Sequence, residues 1–589
     1  MKKTLALLLA ALLLLLGLAG CGDSKSIDLP EFTATPAFDG NHHSWEYGDD
    51  GDLNGDKELL KVTWFINDPS FSWPGNGNSV VSDVIKEKLG IEFEFITPVE
   101  WDNSKLMTMI NGGTLTDIVS VQSYYPEVSQ MALEGYVYPL NPLMDRWAPS
   151  FYSILQNDIF DWYKQGDGNT YVLPNYASSS MYVDKMVGGK VEPSGAMMVR
   201  QDYLDEYLRS DEAKENPSIT TPDGFLAACK WVKAAKNYGE DEPVLLIQFD
   251  NIGSPSIAYL SQYFASPFED EDGEYLDRCE SDEYAETLKF LNRLYREGII
   301  SFSNLSENIT QLGTYIANGT PFAAITTPQN YTSEWEAARQ NGITYTTFVI
   351  TNSKGDTPIL MSSISMGYMA NMISKTAKRP DRIIKLFEFL YSEEGQRLTS
   401  FGVEGDTWTW LEAPTETSFG KIQWTQSYLA DRENNDLAKY GLWLSVFANS
   451  AYITHVQNPV RTEANIYSNN FKKALTPYSY NYSPALLKVD VESDYYETFL
   501  GISSNVSSIW KDSFVPIITA VSDDDCDKKI ADTIASIRKL KTDDYISFEK
   551  EGYQRAKEAL NITWGWPPND PSFVAPEIMM TGDPSYRIW

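Results

Sequence analysis

Histidine is almost missing from this chain. His42, His43 and His455 are the only three in 589 residues. So low a count comes close to excluding a His-based catalytic triad or a zinc site built on several imidazoles. Cysteine is nearly as scarce: Cys21, Cys229, Cys279 and Cys526 are the full set. Four thiols so widely spread do not make a disulfide framework. Basic residues are outnumbered, 47 Lys and Arg against 82 Asp and Glu, for a formal charge of −35 at pH 7. Such a field repels a polyanion, which sets nucleic acid aside as a partner. Beyond the N-terminal segment no apolar run reaches the ~18–20 residues that cross a bilayer.

What is present begins at that segment. Lys2 and Lys3 precede Leu5–Leu16, which contain only Leu and Ala. At ~1.5 Å per residue this run is too short to span a membrane and has the form of an export signal. It ends on Leu18-Ala19-Gly20-Cys21, which resembles the lipobox of bacterial lipoproteins. That resemblance implies cleavage after residue 20, lipidation of Cys21, and a body anchored on the outer face of the cytoplasmic membrane. Buried methylenes contribute ~0.8 kcal/mol each, so several acyl chains hold a protein there.

The body is too long for a single core and calls for two or more domains. Residues 21–58 are polar and rich in Gly and Asp, and read as a flexible tether. Within them Asp50, Asp52, Asn54, Gly55 and Asp56 form the first half of an EF-hand-like loop, but Lys61 stands where the twelfth-position Glu belongs. No metal or cofactor is therefore assigned. Cys229 shares an apolar helical face with Phe225, Leu226 and Val232, the setting of a buried thiol.

Order begins at "LLKVTWFIND", where Leu60, Val62, Trp64 and Ile66 alternate as in a strand. "NSVVSDVIKEKLG" reads as a helix ended by Gly90, and "IEFEFI" as a second strand. "EWDNSKLMTMINGG" reads as a second helix and "TDIVSV" as a third strand. The β-α-β-α-β order predicts a parallel, doubly wound sheet. Ligands of such sheets sit beyond the carboxyl ends of the strands. The loops there run over 67–78, with Asp68 and Trp73, and over 122–125, with Tyr124.

Several segments resemble the extracellular solute-binding proteins of bacterial carbohydrate ABC importers. They are, in order, "INGGTLTDIVSV", "YPLNPLMDRW", "GNTYVLPN", "MVRQDYLDEY…TTPDGFLAACKWVKAAK", "ANGTPFAAI" and "RIIKLFEFLYSEEGQRLTSFGVEGDTWTW". They run across roughly 59–560. The chain departs from the family pattern at Thr116, where the motif has Pro, at Gly224, where it has an acid, and at Trp408, which replaces a tyrosine. "AAKNYGEDEP" replaces the calcium loop of the alginate binders, so that site is not carried over. Residues 564–589 run past the family's usual end.

The resemblance implies an α/β, two-lobed, periplasmic-binding-protein-like fold with discontinuous lobes and a hinge. Lobe 1 is expected over 59–174 and 367–440, and lobe 2 over 175–366 and 441–589. It implies a monomeric, non-enzymatic receptor that captures a carbohydrate between the lobes and delivers it to ABC permease subunits. Rings that stack on a sugar face and polar groups that pair with its hydroxyls are sought in loops. The candidates are Asp68, Trp73, Tyr124, Tyr171, Arg200, Trp408 and Trp410. Trp408 and Trp410 point the same way if their segment is extended. Trp64 and Trp231 fall in apolar periods and read as core. Asp202 reads as the cap of the helix after Arg200. A surface glycoside hydrolase and a non-transport adhesin or sensor remain as alternatives.

Overall fold

The computed structural model describes residues 28–562, apart from 70, 100–101, 178–191, 217, 250–254, 271, 363–365, 414, 416–420, 435–437, 443 and 450–462. Cys21 and residues 564–589 lie outside the described residues. The elements used below are β1 (Leu60–Ile66), α1 (Val80–Leu89), β2 (Ile91–Ile96), α2 (Ser104–Gly112), β3 (Ile118–Gln122), α3 (Leu140–Trp147) and β4 (Leu173–Pro174). They continue with β5 (Ala196–Arg200), α4 (Pro222–Ala235), β6 (Leu245–Ile247), β7 (Ala323–Thr326), β8 (Tyr345–Thr347), β9 (Leu360–Ser362), β10 (Met369–Ile373) and α5 (Pro380–Tyr391). The last are β11 (Trp408–Glu412), β12 (Lys421–Trp424), β13 (Ser479–Asn481), α6 (Tyr496–Ile518), α7 (Asp523–Leu540) and α8 (Asp543–Ala559).

The chain divides into two compact units. The first is the chain up to Asn175 with Tyr368–Thr407 and Gln426–Asn449; the second is Tyr176–Gly367 with Trp408–Thr425 and the chain from Ser450. Each is described by itself.

Unit 1 is built on a five-stranded sheet in the order β2-β1-β3-β10-β4. β1 pairs parallel with β2 and with β3, as the β-α-β-α-β reading predicts, while β10 runs antiparallel to β3 and β4. Both faces are covered, so Phe65 is buried as fully as Trp64 and Ile66. Trp64 packs with Phe93, α1, α3 and α5 on one face. Phe65 packs with Leu106, Met109, Val119 and Val121 on the other. α1 ends at Gly90, whose φ of +63° suits glycine and where a Cβ would stand 2.9 Å from the Arg382 guanidinium.

The stretch read as a tether is instead packed on unit 1 from Leu29 onward. Its apolar side chains explain why. Phe32 meets Trp147 edge-on at 6.2 Å and lies beneath the Arg379 guanidinium at 4.6 Å. Trp45, only 6% exposed, stacks on His43 at 4.0 Å and meets Phe389 at 5.6 Å. Asp49 then lies 3.2 Å from Arg379 and 3.3 Å from Arg382. The Asp-rich loop closes on its own backbone: Gly48 N–H donates to the Asp52 carbonyl (2.8 Å) and Asp49 N–H to that of Asp56 (3.1 Å). Among the described residues no group of three or more His, Cys, Asp or Glu is placed to hold a metal ion.

Unit 2 has a four-stranded sheet, β6-β7-β5-β8, with β5 antiparallel to both its neighbours. α4 contributes Phe225, Val232 and Cys229 to its core, and the thiol is fully buried. Trp231 is only partly buried, at the margin of that core. Further short pairs join β11 to β12 and β9 to β13. The long helix α6 is tied to the core where Asn292 Nδ2 donates to the carbonyls of Ile518 (2.9 Å) and Ala520 (2.7 Å).

Candidate functional site

The carboxyl ends of β1 and β3 lie side by side, since Ile66 pairs with Ser120. The register of β10 sets Met369 against Gln122. Three amide side chains converge there: Asn67, Gln122 and Asn175, each buried. Asn67 Nδ2 donates to Gln122 Oε1 at 2.8 Å. Gln122 Nε2 returns a bond to the Asn67 carbonyl at 2.9 Å and reaches Tyr368 Oη at 3.3 Å. Asn175 Oδ1 accepts from the Met369 N–H at 2.6 Å. Among the described residues, Asn67 Oδ1 is a buried acceptor with no donor in the protein. A buried polar atom left in that state costs about 1–3 kcal/mol and is open to a donor from outside.

Aromatic rings rim this polar floor. Tyr124, directly after β3, is 69% exposed, and Tyr368, directly before β10, is 41% exposed. Tyr124 and Tyr125 meet edge-to-face at 5.1 Å. Burial, then the neighbouring phenols of Tyr125 and Tyr368, raise the Tyr124 hydroxyl above its ordinary pKa. Beside them Tyr163 is pushed up to about 12 by burial, with the Ser123 side chain as its hydrogen-bond partner. Tyr124 and Tyr163 are therefore neutral O–H groups at physiological pH, able both to donate and to accept.

The residues singled out from sequence fall in several settings. Asp68 follows β1 and is half-buried beside Asn67. Tyr124 stands on the rim. Trp73 is half-buried on the core: its indole N–H donates to Ser82 Oγ (3.0 Å) and its ring meets Phe95 at 4.9 Å. Tyr171 is half-buried and donates to Asp167 Oδ2 at 2.7 Å.

In unit 2, Arg200 is committed within its own neighbourhood. Nε and Nη2 donate to the two oxygens of Asp202 (2.8 and 2.9 Å), Nη1 to the Gly319 carbonyl (2.5 Å), and its guanidinium stacks 3.7 Å from the Tyr203 ring centre. Asp202 makes this bidentate pair and caps nothing; Arg200 occupies the N-cap position, without a side-chain capping bond. Trp408 and Trp410 share one face of β11, with ring centres 5.2 Å apart. Trp408 lies opposite Trp424 and is 4% exposed, while Trp410 lies opposite Ile422 and keeps a partly open ring.

Asn67, Gln122, Asn175 and Tyr368 were not singled out as ligand residues in the sequence. A signal was there for two of them: Asn67 follows β1 directly and Gln122 ends β3, each a polar side chain at the carboxyl end of a mostly apolar strand.

A mixed α/β chain with tyrosine rings over buried amides at the ends of a parallel sheet has the architecture of a solute receptor. The model of the bacterial extracellular solute-binding proteins matches residues 81–402, and the chain belongs to that family. Solved structures share the two-lobed, periplasmic-binding-protein-like fold. The alginate-binding protein AlgQ2 in its calcium-free form aligns with a TM-score of 0.62 at 16% identity, over 85% of this chain and 99% of that one. The S. pneumoniae ABC-transporter substrate-binding protein FusA, an EF-hand mutant with fructo-nystose, aligns with a TM-score of 0.64 at 14% identity, over 85% and 100%. A solute-binding protein from Bifidobacterium longum infantis, associated with an HMO-binding ABC transporter, aligns with a TM-score of 0.61 at 14% identity, over 85% and 99%. No curated protein matches the chain. Among the described residues no helix is long and apolar enough to cross a membrane.

Proposed function

We propose that this chain is a lipid-anchored extracytoplasmic receptor that captures an oligosaccharide and delivers it to an ABC importer without altering it. The observation that carries the reading is the juxtaposition in unit 1 of buried amides under exposed tyrosine rings. A pyranose offers hydroxyls at its edge and C–H groups on its face. Amides bond the first, and aromatic rings cover the second. The solved relatives support the same class: one is an alginate-binding protein, one holds fructo-nystose and one is associated with an HMO-binding ABC transporter. On this reading Tyr124 and Tyr368 stack on sugar. Asp68 and Gln122 read hydroxyls. Cys21 carries the anchor and the protein acts as a monomer.

A glycan panel tests this by thermal shift. A ligand at about one hundred times its Kd adds ~2.7 kcal/mol of stability. At least one oligosaccharide should raise the melting temperature and be recovered at its original mass. A panel in which no glycan shifts the transition, or in which the glycan is recovered cleaved, contradicts the proposal.

A further inference from the structure

We infer that the lipid anchor holds unit 1 with its ligand floor turned away from the bilayer, and that the packed N-terminal strap, residues 29–58, sets this orientation. The inference rests on the anchor at Cys21 and the floor of amides proposed above.

Register fixes the two edges of the unit 1 sheet. At the floor, Met369 of β10 stands against Gln122, the last residue of β3. At the far edge Ile373 stands against Ile118, the first residue of β3. The two edges are about 14 Å apart along β10, at ~3.4 Å per residue.

The strap is fastened at the far edge. Arg382 Nη1 donates to the Glu58 carbonyl (2.6 Å) and Nη2 to the Gly90 carbonyl (3.1 Å), at the points where the chain enters β1 and β2. Asp49 pairs with Arg382 and with Arg379. Phe32 lies beneath the Arg379 guanidinium, and its carbonyl accepts from Arg146 Nη2 at 3.4 Å. Lys375, two residues past Ile373, holds its ammonium 3.8 Å from the centre of the Tyr138 ring. Burial lowers the pKa of that ammonium, and the Asp28 carboxylate opposes the shift. The strap thus starts, as it ends, on the edge opposite the floor.

Length then decides the orientation. Seven residue steps separate Cys21 from Asp28. At ~3.6 Å per step they reach at most about 25 Å. A unit of roughly 210 residues is about 40 Å across. A leash that short, tied at one edge, cannot bring the opposite edge down to the membrane. Were residues 29–58 a free tether, the reach would be about 130 Å and unit 1 could turn over. Packing of Phe32 and Trp45 on the unit 1 core removes that freedom.

The test places the lipidated full chain on vesicles of phosphatidylethanolamine and phosphatidylglycerol that carry an acceptor dye in the headgroup. Cys229 and Cys526 are buried, and the partly buried Cys279 is replaced by Ser. A donor dye is attached through Lys378→Cys at the far edge or through Val99→Cys after β2; Lys378 is exposed and Val99 is 93% exposed. Energy transfer from position 99 should be less than half of that from position 378. A Gly/Ser insertion of about thirty residues after Lys25 leaves the strap and the fold intact and lengthens the leash; it should bring the two signals together. Equal transfer in the parent, or stronger transfer from position 99, overturns the inference and leaves the receptor reading standing. A chain that does not stay on the vesicles sinks the anchor reading and this inference with it.

Discussion

Asn67 and Gln122, which lie across the carboxyl ends of adjacent strands, exchange two hydrogen bonds: Asn67 Nδ2 to Gln122 Oε1 at 2.8 Å, and Gln122 Nε2 to the Asn67 carbonyl at 2.9 Å. The second side chain also reaches Tyr368 Oη at 3.3 Å. One amide thus holds both the strand end and a rim tyrosine. Gln122→Ala should leave the buried Asn67 Nδ2 without its acceptor and destabilise unit 1 by about 1–3 kcal/mol, read by urea melting. Affinity for the ligand should fall with it, because Tyr368 loses its support. Unchanged stability and unchanged affinity would show that this pair does not organise the site.

The two tryptophans of β11 should part company when mutated. Trp408 is buried, so Trp408→Ala should cost about 3–5 kcal/mol of stability. Trp410 keeps an open ring; Trp410→Ala should cost little stability and about 1–3 kcal/mol of binding, judging by aromatic stacking on bases. Calorimetry with the cognate glycan and urea melting of each variant decide. A stability loss for Trp410→Ala with affinity intact would assign both rings to packing.

Unit 2 carries a pH-sensitive cluster. Lys541 is buried, 2.6 Å from Asp277, 3.1 Å from Glu280 and 3.8 Å from Glu549. Burial pushes Glu549 up to about 7, while Lys541 pulls it down and Asp277 raises it further. A carboxyl whose folded pKa lies above its unfolded value of 4.5 keeps its proton in the native state where the unfolded chain has lost it. Stability therefore falls as pH rises from about 4.5 through 7, by up to about 3 kcal/mol. Lys541, raised above its ordinary value, contributes outside this window. Melting curves from pH 5 to pH 8 should slope downward, and Glu549→Gln should flatten that slope. An equal slope in the variant would clear Glu549 of the effect.

The N-terminal strap should peel away when Asp49 is removed. Arg382 is almost fully buried and is also held by the Glu58 carbonyl at 2.6 Å. Asp49→Ala leaves Arg379 with Asp381 but takes the carboxylate from Arg382. Limited proteolysis should then cut within residues 29–58 faster than in the parent, with a stability loss of about 1–3 kcal/mol. Protection equal to the parent's would show that Phe32 and Trp45 hold the strap alone.

The sheet of unit 1 was legible because alternation, helix ends and order agreed: Val62 and Trp64 marked β1, Gly90 ended α1, and the β-α-β-α-β order gave parallel pairing. The strap was not legible. Its composition is that of a linker, and its order comes from two aromatic anchors and from partners more than a hundred residues away, such as Trp147 and Phe389. The site was half legible. Tyr124 is marked by its place after a strand, whereas Tyr368 and Asn175 reach the same floor through β10 and β4, whose register no local pattern reveals. Arg200 misled for a related reason: a fork that suits an acidic ligand also suits the carboxylate two residues on.

The central claim is capture without chemistry. The direct measurement is isothermal calorimetry of the exported chain with the glycan that gives the largest thermal shift, followed by mass spectrometry of the glycan recovered from the same cell. The account predicts saturable one-site binding near 1 μM, about −8 kcal/mol, and a glycan of unchanged mass. A slow, continuing heat signal with shortened glycans in the cell would contradict it and make the protein an enzyme.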